Sequence, residues 1–261
     1  MELHLVPSNM LLSGFVVLPI LLACWWVWVS GRAYAVDQEE YSLNPRNRNA
    51  NAAPFNSKAA VLTAILLVAW LIAAAFVGHQ EWAHTFDSFP PPGVRAFFAF
   101  IAITIIIALS KAGKVLALNT PLWLLIGFQT FRIPLELLIH AAYLENVTII
   151  QMTYYGRNFD IITGILALAL ALYSFKKVIS NKVILAWNLL GLALLVNVVG
   201  TGVMSMPHHL QIIETDIPNI WVTFFPFIWL PFVLVCSALF GHLLIFRYLL
   251  AQKEKSFAHS T

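Results

Sequence analysis

Residues 119–141 read NTPLWLLIGFQTFRIPLELLIHA, an apolar stretch that carries Arg132 and Glu136 one helical turn apart near its middle. A spanning helix needs ~20 mostly apolar residues, and this stretch supplies them. A charge at the bilayer centre costs at least ~2.5 kcal/mol even on lenient insertion scales. Chains seldom carry that cost without a partner and a use. The stretch therefore points both to the fold class and to the place where function should be sought.

Composition supports the same class on either side of it. The chain is 60% hydrophobic and only 10% charged, where soluble domains average about 25% charged residues. Runs of spanning length read at 10–30, 58–78, 94–113, 119–141, 159–175, 182–204 and 221–249. The expected fold is all-α, a single polytopic domain in which seven transmembrane helices form one bundle. Residues 31–57 mix charges with an asparagine-rich run and read as a cytoplasmic linker. Residues 111–118 read as a short loop that makes the third and fourth spans antiparallel neighbours. Pro226 and Pro231 should kink the last span. The leader from Met1 to His4 has no basic residue and the first apolar run is long, so it reads as a retained helix rather than a signal peptide.

Orientation follows from the basic residues. Twelve of the fifteen lysines and arginines fall on one alternating set of segments, leaving Arg95 and Arg157 on the other set and Arg132 inside a span. The positive-inside rule then places the N-terminus outside and the C-terminus inside, in a bacterial inner membrane. The net charge of +3 reflects that bias and does not argue for nucleic acid. Cys24 and Cys236 both fall in spans and read as free thiols.

Residues three and four apart share a helix face, so Gln129, Arg132, Glu136, His140 and Tyr143 form one polar stripe. Arg132 and Glu136 are expected to pair along the helix, with His140 continuing the stripe into an outward-facing cavity. A second cluster is QMTYYGRNFD at 151–160, with Arg157, Asn158 and Asp160. There Gly156 permits a tight turn, Asn158 suits a helix cap and Asp160 suits a first helical turn, which accounts for all three structurally. The same density of polar groups also suits a rim above the stripe. A third group is His208 and His209, which with His140 and a carboxylate could supply a three- or four-ligand metal site. No HExxH or CxxC spacing occurs, so such ligands would have to converge from separate helices. His242 reads as lying outside this set, near the inner end of the last span and close to Asn188. Asn188, Asn197, Gly191, Gly200 and Gly202 read as close helix packing. The seventh span has no lysine, so no retinal Schiff base is expected, and no Walker or Rossmann motif occurs.

The runs FRIPLE at 131–136, GRNFD at 156–160 and WVTFFPFIWLP at 221–231 resemble a family of uncharacterised multi-spanning bacterial membrane proteins. The resemblance covers spans four to seven better than spans one to three. That family has no assigned activity, so the resemblance implies a topology and a choice of site residues only. The expected role is to bind or move a small polar or amphiphilic solute, or protons, through an outward-facing polar cavity. The alternatives are an intramembrane metal-dependent enzyme acting on lipid and a receptor or assembly subunit. The expected partners are the bilayer and a small-molecule or ion ligand, with a membrane-protein partner or a second copy left open.

Overall fold

The computed structural model describes residues 7–41 and 55–258, with side chains described for 7–37 and 55–253. The described residues form helices and connecting turns, with no strand among them. Among the described residues six helical stretches are long and apolar enough to cross a membrane, at Asn9–Asp37, Ser57–Gly78, Pro92–Leu109, Leu122–Leu144, Asn181–Met204 and Leu230–Lys253, and a shorter apolar helix covers Ile161–Lys176. The chain is a multi-pass membrane protein.

Local chemistry explains the helix boundaries. Helix α1 (Asn9–Tyr41) starts at Ser8, whose Oγ accepts from the Leu11 N–H at 3.2 Å. It is 33 residues long, about 50 Å at ~1.5 Å per residue, well beyond a ~30 Å hydrocarbon core. The linker expected at 31–57 is thus helical as far as Tyr41, and 42–54 lie outside the described residues. Helix α2 (Ser57–Gly78) is capped by Asn56, which accepts from Ala59 N at 3.0 Å. Helix α3 (Pro92–Leu109) starts on proline, which needs no N–H partner in a first turn.

The expected loop at 111–118 is instead a helix, α4 (Lys111–Asn119), capped by the Ser110 hydroxyl at Gly113 N. Its nine residues carry the chain sideways across the bundle, against α1 and the last span. The third and fourth spans are therefore not packed side by side. Asn119 ties the far end of α4 to the Ala33 carbonyl at 3.2 Å.

The fourth span is broken. Helix α5 (Leu122–Phe128) passes through a 3-10 turn at Gln129–Phe131 into α6 (Arg132–Leu144). Pro134 has no N–H to give Thr130 and its ring crowds that carbonyl, which breaks α-helical pairing at this point. Helix α6 ends at Asn146, a left-handed residue with φ 55°; Asn146 N reaches Tyr143 O at 2.9 Å and Val147 N reaches Ala142 O at 2.8 Å. That Schellman arrangement satisfies the terminal carbonyls and turns the chain back toward α7 (Ile161–Lys176). Helix α8 (Asn181–Met204) follows, capped by Ser180.

The last span starts later than its apolar sequence suggests. Residues 221–229 form a 3-10 turn and further turns. Trp221 and Phe227 are buried there against Phe15, with ring centroids at 5.5 and 5.1 Å. Pro226 therefore lies ahead of the helix rather than kinking it. The helix proper opens with a π-helical turn, Leu230–Val235, that contains Pro231 and leads into α9 (Cys236–Ala258). Indole groups stitch this irregular backbone to α2: Trp70 Nε1 donates to Phe232 O at 2.8 Å and Trp229 Nε1 to Leu71 O at 3.0 Å.

The last span is the hub. Helices α3, α4, α5 and α8 pack on it, while α7 packs on α5 and α6. Half or more of the fourth and last spans is buried, against 17% of α2, so α2 lies at the lipid-facing edge. The connections at 79–91, 145–160 and 205–229 gather at one end of the bundle, called here the loop-rich end. His84 there meets Thr223 at 3.0 Å and Phe89 packs on His208.

Candidate functional site

Arg132 opens α6 immediately after the 3-10 turn and is 0% exposed. Its guanidinium faces three ways. Nε donates to Gln129 Oε1 at 3.1 Å, Nη1 forms an ion pair with Asp160, and Nη2 meets His242 Nε2 at 3.1 Å. The partner of Arg132 is thus Asp160 and not Glu136, which corrects the pairing expected along the helix. The reason is geometric. Asp160 occupies the N-cap position of α7, and α7 packs on the 3-10 turn that presents Arg132.

Glu136, 1% exposed, is held instead by Asn158, whose Nδ2 donates to Glu136 Oε2 at 2.7 Å and to Met152 O at 3.0 Å. Asn158 Oδ1 accepts from Asp160 N at 3.1 Å. Asn158 therefore bridges two carboxylate residues and does not cap the helix. Asp160 makes no side-chain cap bond either, because its Oδ1 accepts from Arg132 and from Thr163 Oγ1 at 3.2 Å. Gly156 allows this return of the chain: a Cβ there would lie 2.2 Å from Ile150 O.

His242 and Asn188 complete the cluster, although spacing along the chain places both outside it. His242 Nδ1 lies 2.7 Å from Asn188 Oδ1, and Asn188 Nδ2 donates to His242 O at 3.2 Å. A span starting at residue 221 would put His242 near its far end. Because the helix starts at Leu230, His242 lies twelve residues in, about 18 Å along the axis and level with Arg132. The missed signal was the pair of prolines that delays the helix. Gln129 joins from the other side, its Nε2 donating to Ala238 O at 2.9 Å. Small residues permit the close approach: a Cβ on Gly191 would lie 2.6 Å from His242 Cε1, and one on Gly241 would lie 2.6 Å from Gln129 Nε2.

The result is one connected column, Glu136–Asn158–Asp160–Arg132–His242–Asn188, running through the interior with every member at most 3% exposed. The hydrogen bonds assign His242 a proton on Nδ1, donated to Asn188, and leave Nε2 to accept from Arg132. Arg132 and Asp160 cancel each other's charge. The column is then electrically neutral with a proton on Glu136 and a neutral His242, the state in which His242 Nε2 keeps its bond from Arg132.

The remaining sequence candidates stand elsewhere. His140 leaves the stripe for an aromatic cluster, with ring centroids 4.9 Å from Tyr154, 5.1 Å from Tyr155 and 6.0 Å from Tyr143, and its buried Nδ1 has no hydrogen-bond partner among the described residues. Arg157 is exposed, and its carbonyl accepts from Asn197 at 2.6 Å. His208 uses both ring nitrogens locally, at Val203 O and Leu210 N, and His209 packs by Phe89. The expected metal ligands His140, His208 and His209 are not brought together, and among the described residues no three His, Cys, Asp or Glu side chains converge on one point. A pocket toward this end is lined almost entirely by apolar side chains.

No protein-family model, no curated protein and no solved structure matches this chain.

Proposed function

We propose that this chain crosses the bacterial inner membrane seven times with its N-terminus outside, and that it moves protons along the Glu136-to-Asn188 column, coupled to a small polar or amphiphilic solute. The observation that carries the reading is the column itself: Asp160, Arg132 and His242 in direct contact, with Glu136 joined to them through Asn158, all shielded from solvent. Ionisable groups inside spans are costly, and chains of acidic and histidine side chains are how such proteins relay protons. A proton on Glu136 leaves no net charge in the low-dielectric interior, where an uncompensated ion is expensive, so Glu136 is the group at which the column takes up and gives up a proton. Ile161–Lys176 is taken as the fifth of the seven spans, because the alternation of basic segments requires a crossing there.

The role of Arg132 changes with its partner. It holds an internal carboxylate, so the column passes protons rather than gripping an anionic solute directly.

The test is purified protein in liposomes with an entrapped pH dye under an imposed membrane potential. Wild type should admit protons faster than empty liposomes, and E136Q and H242Q should each slow that entry severalfold while remaining folded. Infrared difference spectra across a pH step should show a protonated-carboxyl band that E136Q removes. A folded E136Q protein with wild-type flux would sink the proposal.

A further inference from the structure

Helices α3 and α8 both pack closely on the last span and far less on each other, and the gap between them is an apolar pocket. Its cavity volume is about 70 Å³, room for a run of methylene-sized groups. Val94 and Phe97 form one wall, Val198 and Gly202 the other, and Phe232 of the π-helical turn forms the floor, with Met152 at the loop-rich end. The one side-chain hydroxyl in the lining, Thr223 Oγ1, already donates to Ile220 O at 2.7 Å and meets His84 Nδ1 at 3.0 Å. The pocket therefore presents no unpaired side-chain polar atom, and its occupant must be hydrocarbon where it touches these walls.

Two cations flank the loop-rich end. Arg95 directly follows the lining residue Val94 in the first turns of α3. Arg157 is bonded through its backbone to Gln151 and to Asn197, each the sequence neighbour of a lining residue, Met152 and Val198. Both guanidinium groups are exposed, and neither has an ion-pair or hydrogen-bond partner among the described residues. The acidic residues of this end stand on the connecting segments, at Glu81, Asp87, Glu145, Glu214 and Asp216.

We infer that this pocket binds the acyl chain of an amphiphile whose anionic head sits between Arg95 and Arg157. An arginine at the edge of the hydrocarbon layer matches a phosphate or carboxylate by charge and by its fork of donors. The inference stands apart from the proton column, although the two touch. Asn158 holds both Glu136 and the Met152 carbonyl, so the residue at the pocket's end and the buried carboxylate share one side chain. The source of the chain and head is a membrane phospholipid or a free fatty acid, which the probes separate.

The experiment uses full-length protein in mixed micelles and native mass spectrometry, with phosphatidylglycerol, phosphatidylcholine and oleate as probes. Phosphatidylglycerol should be retained at least tenfold more tightly than phosphatidylcholine, and the double variant R95Q/R157Q should lose that preference. Oleate held as tightly as phosphatidylglycerol would identify a fatty-acid site; oleate held no better than phosphatidylcholine would identify a lipid site. G202L should block both anionic probes, since a Cβ at Gly202 meets only Met152, at 3.6 Å, and larger side chains extend into the pocket. A photoreactive acyl chain on phosphatidylglycerol supplies a readout that needs no variant: labels should concentrate in 198–203 and 222–235. E136Q should leave labelling unchanged, so failure of the proton reading and failure of this one are distinguishable. Equal retention of phosphatidylglycerol, phosphatidylcholine and oleate by wild type, or labels spread evenly over the lipid-facing helices, would overturn the inference.

Discussion

Removing the charge on Asp160 should cost far more stability than removing the charge on Glu136, although only Glu136 stands one turn from Arg132 in sequence. D160N keeps an oxygen for Arg132 and Thr163 but leaves the guanidinium, at 0% exposure, with no negative charge against it. Breaking a buried ion pair by neutralising one partner costs ~3 to 5 kcal/mol. E136Q removes no ion pair. It leaves an amide oxygen able to accept from Asn158, and its cost should stay near the ~1 kcal/mol of an ordinary hydrogen bond. The gap between the two variants should therefore be ~2 kcal/mol or more. R132M/D160N removes both charges at once and should recover most of the D160N loss, while R132M/E136Q should not recover it, because Asp160 is then left alone. Unfolding in dodecyl sulfate and maltoside mixtures, followed by tryptophan fluorescence or by thermal shift, reads these differences directly. If E136Q proves as damaging as D160N, and only R132M/E136Q recovers, the long-range pairing is wrong and the pair along the helix is right.

Further outcomes follow from other contacts. G191A should destabilise by ~1 to 3 kcal/mol, because its methyl must displace His242 Cε1 and Thr163 Cγ2, which lie 2.6 and 2.7 Å from that position; the same thermal measurement checks it. R247Q should loosen the junction of α3 and α4, since Arg247 Nη1 caps Ala108 O at 2.7 Å and Ser110 O at 2.6 Å, and hydrogen exchange at 108–114 should rise. Hydrogen bonds from the Ser8 hydroxyl and then the Ser8 N–H hold the Glu145 carboxyl below its ordinary range. Because the folded form binds that proton more weakly than the unfolded form, the clasp is fully present above the ordinary Glu value of about 4.3 and is lost as pH falls through the lower folded value. Protection factors at the start of α1, taken relative to intrinsic exchange at each pH, should therefore fall in acid, and S8A should reduce that acid-dependent loss while the Ser8 N–H bond remains. Cysteine reporters at exposed Asp87 and Glu214 should label from outside intact cells and reporters at Lys177 and Ser180 should not; the reverse pattern would sink the proposed orientation.

Apolar run length and composition, read without coordinates, determined that this is a membrane protein of several helices, because transfer of ~20-residue apolar segments into lipid depends on their content and hardly on their neighbours. They also determined that Arg132, Glu136, Asn158 and Asp160 must be accommodated at or beside a span. Spacing, however, reports only neighbours on the same helix. It therefore favoured Glu136 as the partner of Arg132, four residues away, over Asp160, twenty-eight away. Helices apolar on nearly every side carry no stripe to say which face meets which neighbour, so the entry of His242 and Asn188 could be decided only by tertiary packing. The late start of the last span and the helical turn of α4 decided the depths at which those side chains meet. The apolar pocket is likewise a product of packing, since it lies where α3 and α8 share a neighbour without packing closely on each other.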